Sequence, residues 1–98
     1  MKTKSEVKKK LSEALQALDL KEQQVSVDIE SGHRLVAVVT SPEFEGVDEA
    51  QRQSQVWQVV FDNLDEEEQV LVDFIFTNTP KEEIEIEKEE RARNQPGQ

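Results

Sequence analysis

Cysteine is absent from this sequence. Disulfides, thiolate metal sites, thiol catalysis and cysteine-ligated clusters are therefore excluded within the chain itself. Histidine occurs once, at His33, and tryptophan once, at Trp57. A lone imidazole is a weak candidate ligand, because a metal site needs several converging donors, and a structural histidine at a strand end is the simpler reading. Glycine occurs only at Gly32, Gly46 and Gly97. That spacing rules out a Gly-x-x-Gly loop of the kind that clamps a nucleic-acid backbone. No apolar run approaches the roughly 20 residues of a membrane-spanning helix. The early lysines are not followed by the apolar core of a secretory signal. A soluble, cytoplasmic protein is the expectation.

Positive charge is scarce as well. Twelve lysines and arginines face 22 aspartates and glutamates, for a formal net charge of −10. Such a field repels nucleic acid unless a local basic patch overcomes it. The cations are unevenly placed: residues 1–10 carry a net +4, leaving −14 on the remainder. Lys8, Lys9 and Lys10 are consecutive and point in three directions round a helix, which is a solvated turn rather than a focused basic stripe. With 98 residues the chain suits one domain with a single modest core.

What is present reads as alternating elements. Val7, Leu11, Ala14, Leu15 and Leu18 form one apolar stripe on a helix over 4–18, with Thr3 and Glu6 spaced as a capping box. Residues 23–30 alternate, with Val25, Val27 and Ile29 on one face, as in a strand with one wet side. Ser31-Gly32 signals a turn, and Leu35 to Val39 is apolar on both faces, as in a central strand. A loop framed by Pro42 and Gly46 leads to a helix from about Ala50. On that helix Ala50, Trp57, Phe61 and Leu64 share the apolar face, with Val56 and Val60 at its margin. Asn63 to Glu68 is an acidic break. Residues 69–77 alternate again, with Val70, Val72, Phe74 and Phe76 on one side and Leu71, Asp73, Ile75 and Thr77 on the other. Thr79-Pro80-Lys81-Glu82 is a helix start, with Thr79 as N-cap and Glu82 closing the box. Residues 1–87 are read as one domain, and 88–98 as a charged tail into which the last helix frays.

The expected order is α-β-β-α-β-α, an α/β (α+β) domain. A short turn makes the first two strands antiparallel; a helical crossover makes the second and third parallel. The result is a three-stranded mixed sheet with helices packed on one face.

This order, taken with Phe44-Glu45-Gly46, Arg52-Gln53, Val56 and Thr79-Pro80, resembles the BolA family, whose α/β fold is related to the type II KH domain. The resemblance covers roughly residues 5–84. It implies a non-enzymatic protein-interaction or regulatory module that partners a monothiol glutaredoxin or an iron–sulfur assembly factor. Such a family member shares a [2Fe–2S] cluster with its partner through a histidine at the start of the last strand. Here that position is Leu71, and leucine cannot ligate iron; the other family ligand position offers only His33. Gln53 stands where the family signature has histidine. Cluster ligation is therefore expected to be reduced or lost, with no resident cofactor. A nucleic-acid-binding regulator on the same fold is the alternative.

Six positions are candidates for partner contact: His33, Phe44, Gly46, Arg52, Leu71 and Ile75. Phe44 is expected to plug its loop onto the sheet and Gly46 to supply an unusual backbone angle. Arg52 is expected to point away from the apolar face, near Val59 and Asn63, toward a partner's carboxylate, a phosphate or an internal salt bridge. Gln53 is read as a structural hydrogen-bonding residue. Leu71 and Ile75 are expected to lie exposed beside either Val36 and Val38 or Leu35, Ala37 and Val39, forming a partner or homodimer site. Asp73 interrupts its strand and is read as solvent-facing. No nucleophile, base and orienting group can be assembled from these residues, so no enzyme is expected.

Overall fold

A computed structural model of the chain describes residues 3–30 and 34–94, with side chains through Arg91. Thr3 caps the first helix, α1 (Lys4–Gln16), by accepting the Glu6 N–H at 3.2 Å. Its stripe of Val7, Leu11, Ala14 and Leu15 is buried, as the spacing predicts. Strand β1 (Gln24–Glu30) pairs antiparallel with β2 (Arg34–Thr40), and β2 pairs parallel with β3 (Val72–Asn78), in sheet order β1-β2-β3. A 3₁₀ turn (Pro42–Phe44) and the helix α2 (Glu49–Asn63) make the crossover. Helices α1 and α2 cover one face of the sheet. Against them lie Val27 of β1, Leu35, Ala37 and Val39 of β2, and Val72 and Ile75 of β3. This is the expected three-stranded mixed sheet with its helices on one side.

Two helices depart from expectation. The acidic break holds a short helix, α3 (Glu66–Val70), closed by a capping box between Asp65 and Glu68. Glu68 is 2% exposed and accepts both contacts of the Lys10 ammonium, at 2.9 and 3.0 Å, so this lysine turns inward and ties α1 to α3. The helix α4 (Pro80–Asn94) runs past Lys88, where fraying was expected. The tail beyond Asn94 and the turn at 31–33 lie outside the described residues.

The third strand starts at Val72, not at 69, and its alternation breaks. Leu35 pairs with Val72 and Val36 with Phe74, so Asp73 is an extra residue, a β-bulge. Because the side-chain period is two, one inserted residue flips the face of everything after it. Val72 points to the helices, and so do Ile75 and Thr77; Phe74 and Phe76 point away, with Asp73 exposed beside them. The expectation that Leu71 and Ile75 line an exposed face is thus overturned. Ile75 is 0% exposed, and Leu71, at the C-cap of α3, packs against the core while its carbonyl accepts the Leu35 N–H at 2.8 Å.

The two faces of β3 should differ sharply in their tolerance of substitution. Ile75→Ala should cost about 2–5 kcal/mol by leaving a cavity in the core, whereas Phe74→Ser should cost under about 1 kcal/mol. Urea denaturation of both variants measures this; equal costs would place the bulge elsewhere.

Candidate functional site

The motif residues converge on one side chain. Arg52 lies in the first half of α2 on the same stripe as Val56 and Val60, and is 7% exposed. The expectation that it points outward near Val59 and Asn63 is corrected. The apolar face is rotated accordingly: Val56 and Val60 are fully buried, Trp57 is half-buried, Ala50 is exposed and Phe61 is 57% exposed. Acceptors explain the rotation. The Arg52 Nε–H donates to the Val47 carbonyl at 2.8 Å. Nη1 donates to the Thr77 carbonyl at 3.1 Å and to Glu82 Oε1 at 2.8 Å. Nη2 donates to the Phe44 carbonyl at 2.8 Å and to Glu82 Oε2 at 3.4 Å. A guanidinium has five N–H donors, and these five bonds use them all. The Arg52 guanidinium carbon also lies 5.5 Å from the centroid of the Phe44 ring.

Each partner is held by local structure. Ser41 caps the 3₁₀ turn by accepting the Glu43 N–H, and its hydroxyl donates to the Lys21 carbonyl at 2.7 Å. The Lys21 N–H in turn donates to the Glu43 carboxylate. This stitches the loop after β2 to the loop after α1 and seats Phe44, 1% exposed, in the core. Gly46 has φ +78°, in the left-handed region, and a Cβ built there meets nothing within 4 Å. Its requirement is the backbone angle rather than a close approach. On the far side, Thr79 Oγ1 accepts the Glu82 N–H at 3.1 Å, and the Thr79 N–H donates to Glu82 Oε1 at 2.8 Å. The capping box that starts α4 therefore also supplies the carboxylate for Arg52.

Next to Arg52 the same helix covers the outer edge of β3. Gln53 donates to the Ile75 carbonyl at 2.8 Å and accepts the Trp57 indole N–H at 3.1 Å. Glu49 accepts the Thr77 hydroxyl at 3.1 Å. Gln53 is a structural hydrogen-bonding residue, as its type suggests. An edge strand exposes unpaired carbonyls, and here three side chains of α2 occupy that edge.

An open cleft of about 490 Å³ borders Gly46, Arg52 and Glu82, with Pro42, Lys81 and Glu85 also on its wall. The arginine has no donor left for an anion entering it, and three of the wall residues (Glu45, Glu82 and Glu85) are carboxylates. Phosphate recognition through Arg52 is not what this geometry offers. Among the described residues no group of three or more His, Asp or Glu side chains is arranged to hold a metal. His33 falls outside the described residues.

The other surface of note is the uncovered face of the sheet. Val36 and Val38 of β2 are half-buried there, in register with Phe74 and Phe76 of β3. The two phenylalanines are 45% and 47% exposed, their ring centroids 4.6 Å apart. Of the two sets of β2 residues considered from the sequence, it is Val36 and Val38 that face outward. No helix among the described residues is long and apolar enough to cross a membrane. No family model, curated protein or solved structure matches the chain.

Of the six candidate positions, Phe44, Gly46 and Arg52 are brought together, but the two side chains are buried in internal contacts. Ile75 belongs to the core, and Leu71 packs against it, partly buried. Phe74 and Phe76 were missed as surface residues because continuous alternation put them on the side of Val72.

The Arg52–Glu82 pair makes two predictions. Arg52→Ala removes the guanidinium donor from three carbonyls and a carboxylate, of which the Phe44 carbonyl and Glu82 keep one backbone N–H each, and should cost about 3–5 kcal/mol. Arg52→Lys, which cannot reproduce the planar fork, should recover only part of this; full recovery in thermal or urea unfolding would contradict the network. The Glu82 pKa is lowered from 4.5, first by the Arg52 hydrogen bond and then by the Thr79 N–H. A depressed carboxyl stabilises the fold above its unfolded pKa, and that contribution is lost as pH falls through the folded value. The stability gap between the parent and Glu82→Gln should therefore be constant at neutral pH and shrink as urea curves are taken below about pH 4.5. A gap independent of pH down to full protonation would show that the pair does not form.

Proposed function

We propose that this chain is a non-enzymatic protein-interaction module of the BolA type, and that it docks a protein partner on the open face of its sheet. The observation that carries the reading is the apolar quartet of Val36, Val38, Phe74 and Phe76, set on a rigid sheet whose other face is the core. Two adjacent strand-mounted aromatics half in water, flanked by two valines, form a contiguous apolar patch of the kind that marks a contact surface.

The BolA character rests on the element order, the strand directions and the meeting of Phe44, Arg52, Thr79 and Glu82 in one network. The partner class is the one that resemblance suggests, a monothiol glutaredoxin or an iron–sulfur assembly factor. With leucine at 71 the contact needs no iron ligated by that position. In this reading the Arg52 network is scaffold and the sheet face is the working surface.

Titration of the isotopically labelled protein with monothiol glutaredoxin, apo and cluster-loaded, tests the reading by NMR. Amide shifts centred on Val36, Val38, Phe74 and Phe76 with both forms are expected. A silent spectrum with both would remove the adaptor function. Oligonucleotide binding with a steep salt dependence would instead establish the nucleic-acid regulator.

A further inference from the structure

The area and the charge of the open face together indicate what kind of protein covers it, granted the docking reading above. Phe74 and Phe76, at 45% and 47% exposed, present on the order of 200 Å² of ring surface. The half-buried Val36 and Val38 add less. A stable interface takes about 800 Å² from each side. Most of any contact on this face must then come from the rim around the quartet, so the rim decides the partner.

That rim is acidic. Asp28 stands opposite Val36, Glu30 follows on the same row of β1, and Asp73 is exposed at the bulge beside Phe74. Where β2 ends, Glu83 of α4 accepts the Thr40 hydroxyl, and with Glu22 and Glu87 it lines a cleft over Gln24 and Thr40. Among the described residues of the three strands the only cation is Arg34. A second copy of this chain meeting the face through a two-fold axis would bring these carboxylates against one another. The net charge of −10 adds to that repulsion.

We infer that the face takes a different protein, one presenting an apolar centre inside a basic rim. Lysines or arginines of the partner would pair with Asp28, Asp73 and the α4 carboxylates while its apolar residues cover the two phenylalanines. The chain itself stays monomeric.

Two short synthetic helical peptides test this, each with the same leucine stripe, one flanked by lysines and the other by glutamates. Both are titrated into the labelled protein at physiological salt. The lysine peptide should move the amides of Val36, Val38, Phe74 and Phe76 and bind at least tenfold more tightly than the glutamate peptide, with affinity falling as salt rises. Phe74→Ser with Phe76→Ser should abolish the shifts, and Asp28→Lys with Asp73→Lys should erase the preference. Equal binding of both peptides at the face would overturn the charge inference and leave the docking face standing. Shifts elsewhere, or none, would overturn the docking face too. Sedimentation of the protein alone should show monomer; a dimer that Phe74→Ser dissolves would make the second copy the occupant.

Discussion

Burying a guanidinium is unfavourable unless each of its five N–H groups finds an acceptor, and Arg52 finds one for each. Those acceptors come from three separate stretches: the loop carrying Phe44 and Val47, the end of β3 at Thr77, and the first turn of α4 at Glu82. The loop is some 30 residues away in sequence from the junction of β3 and α4 that supplies the other two, so the Arg52 side chain ties the start of the crossover to its end. The constraint runs both ways. Arg52 can be buried only if Gly46 adopts its left-handed angle and Thr79 caps α4, since these place the Phe44 and Val47 carbonyls and the Glu82 carboxylate. Conversely, rotating α2 to put its charged residue in water would take the side-chain donor from the Val47 and Thr77 carbonyls and leave the Phe44 carbonyl only the Val47 N–H. Desolvation of a charge is here balanced by hydrogen bonding rather than by one ion pair, and Glu82 remains partly in solvent.

The rotation of α2 has a consequence for the sheet. With Arg52, Val56 and Val60 inward, Glu49 and Gln53 come to lie along the outer edge of β3, where they meet Thr77 and Ile75. One of the two sheet edges, that of β3, is thereby occupied by side chains of the crossover helix. The face opposite the helices stays open. The bulge at Asp73 then decides which residues that face displays. Without the extra residue the two phenylalanines would point into the helices and Ile75 outward. With it, the large aromatics go to water and the β-branched residue fits the core between α2 and β2.

Much of the framework was legible in the sequence. The apolar stripe of α1, the doubly apolar β2 and the capping box at Thr79 each carry a local signal that tertiary structure had no reason to override. The strand directions followed from connection lengths. Two features were not legible, for different reasons. Arginine counts as polar in any hydrophobic pattern, so the α2 face was sought at Trp57 and Phe61. Only the three-dimensional set of acceptors makes Arg52 an inward residue. The phase of β3 was misread because alternation was carried through from Val70. A usable signal was present: Asp65 and Glu68 have capping-box spacing, which implies a turn of helix, a later strand start and a need to re-phase the strand. Asp73, a lone charge in an apolar strand, marks the site where the re-phasing occurs.

The proposed separation of scaffold from docking surface rests on how completely the motif is used up. Phe44 is under the guanidinium, every donor of Arg52 is taken, Gln53 holds a strand carbonyl, and Thr79 and Glu82 satisfy one another. A residue whose polar groups are all satisfied within the domain has little to offer a ligand without unfolding something. Such a motif can be retained for the fold while activity changes around it. The uncovered sheet face has the opposite character: Phe74 and Phe76 are about half exposed, so they can be altered at small cost to stability. On the docking reading, the chemistry of that face is set by what it touches, since folding alone does not require two adjacent phenylalanines amid carboxylates.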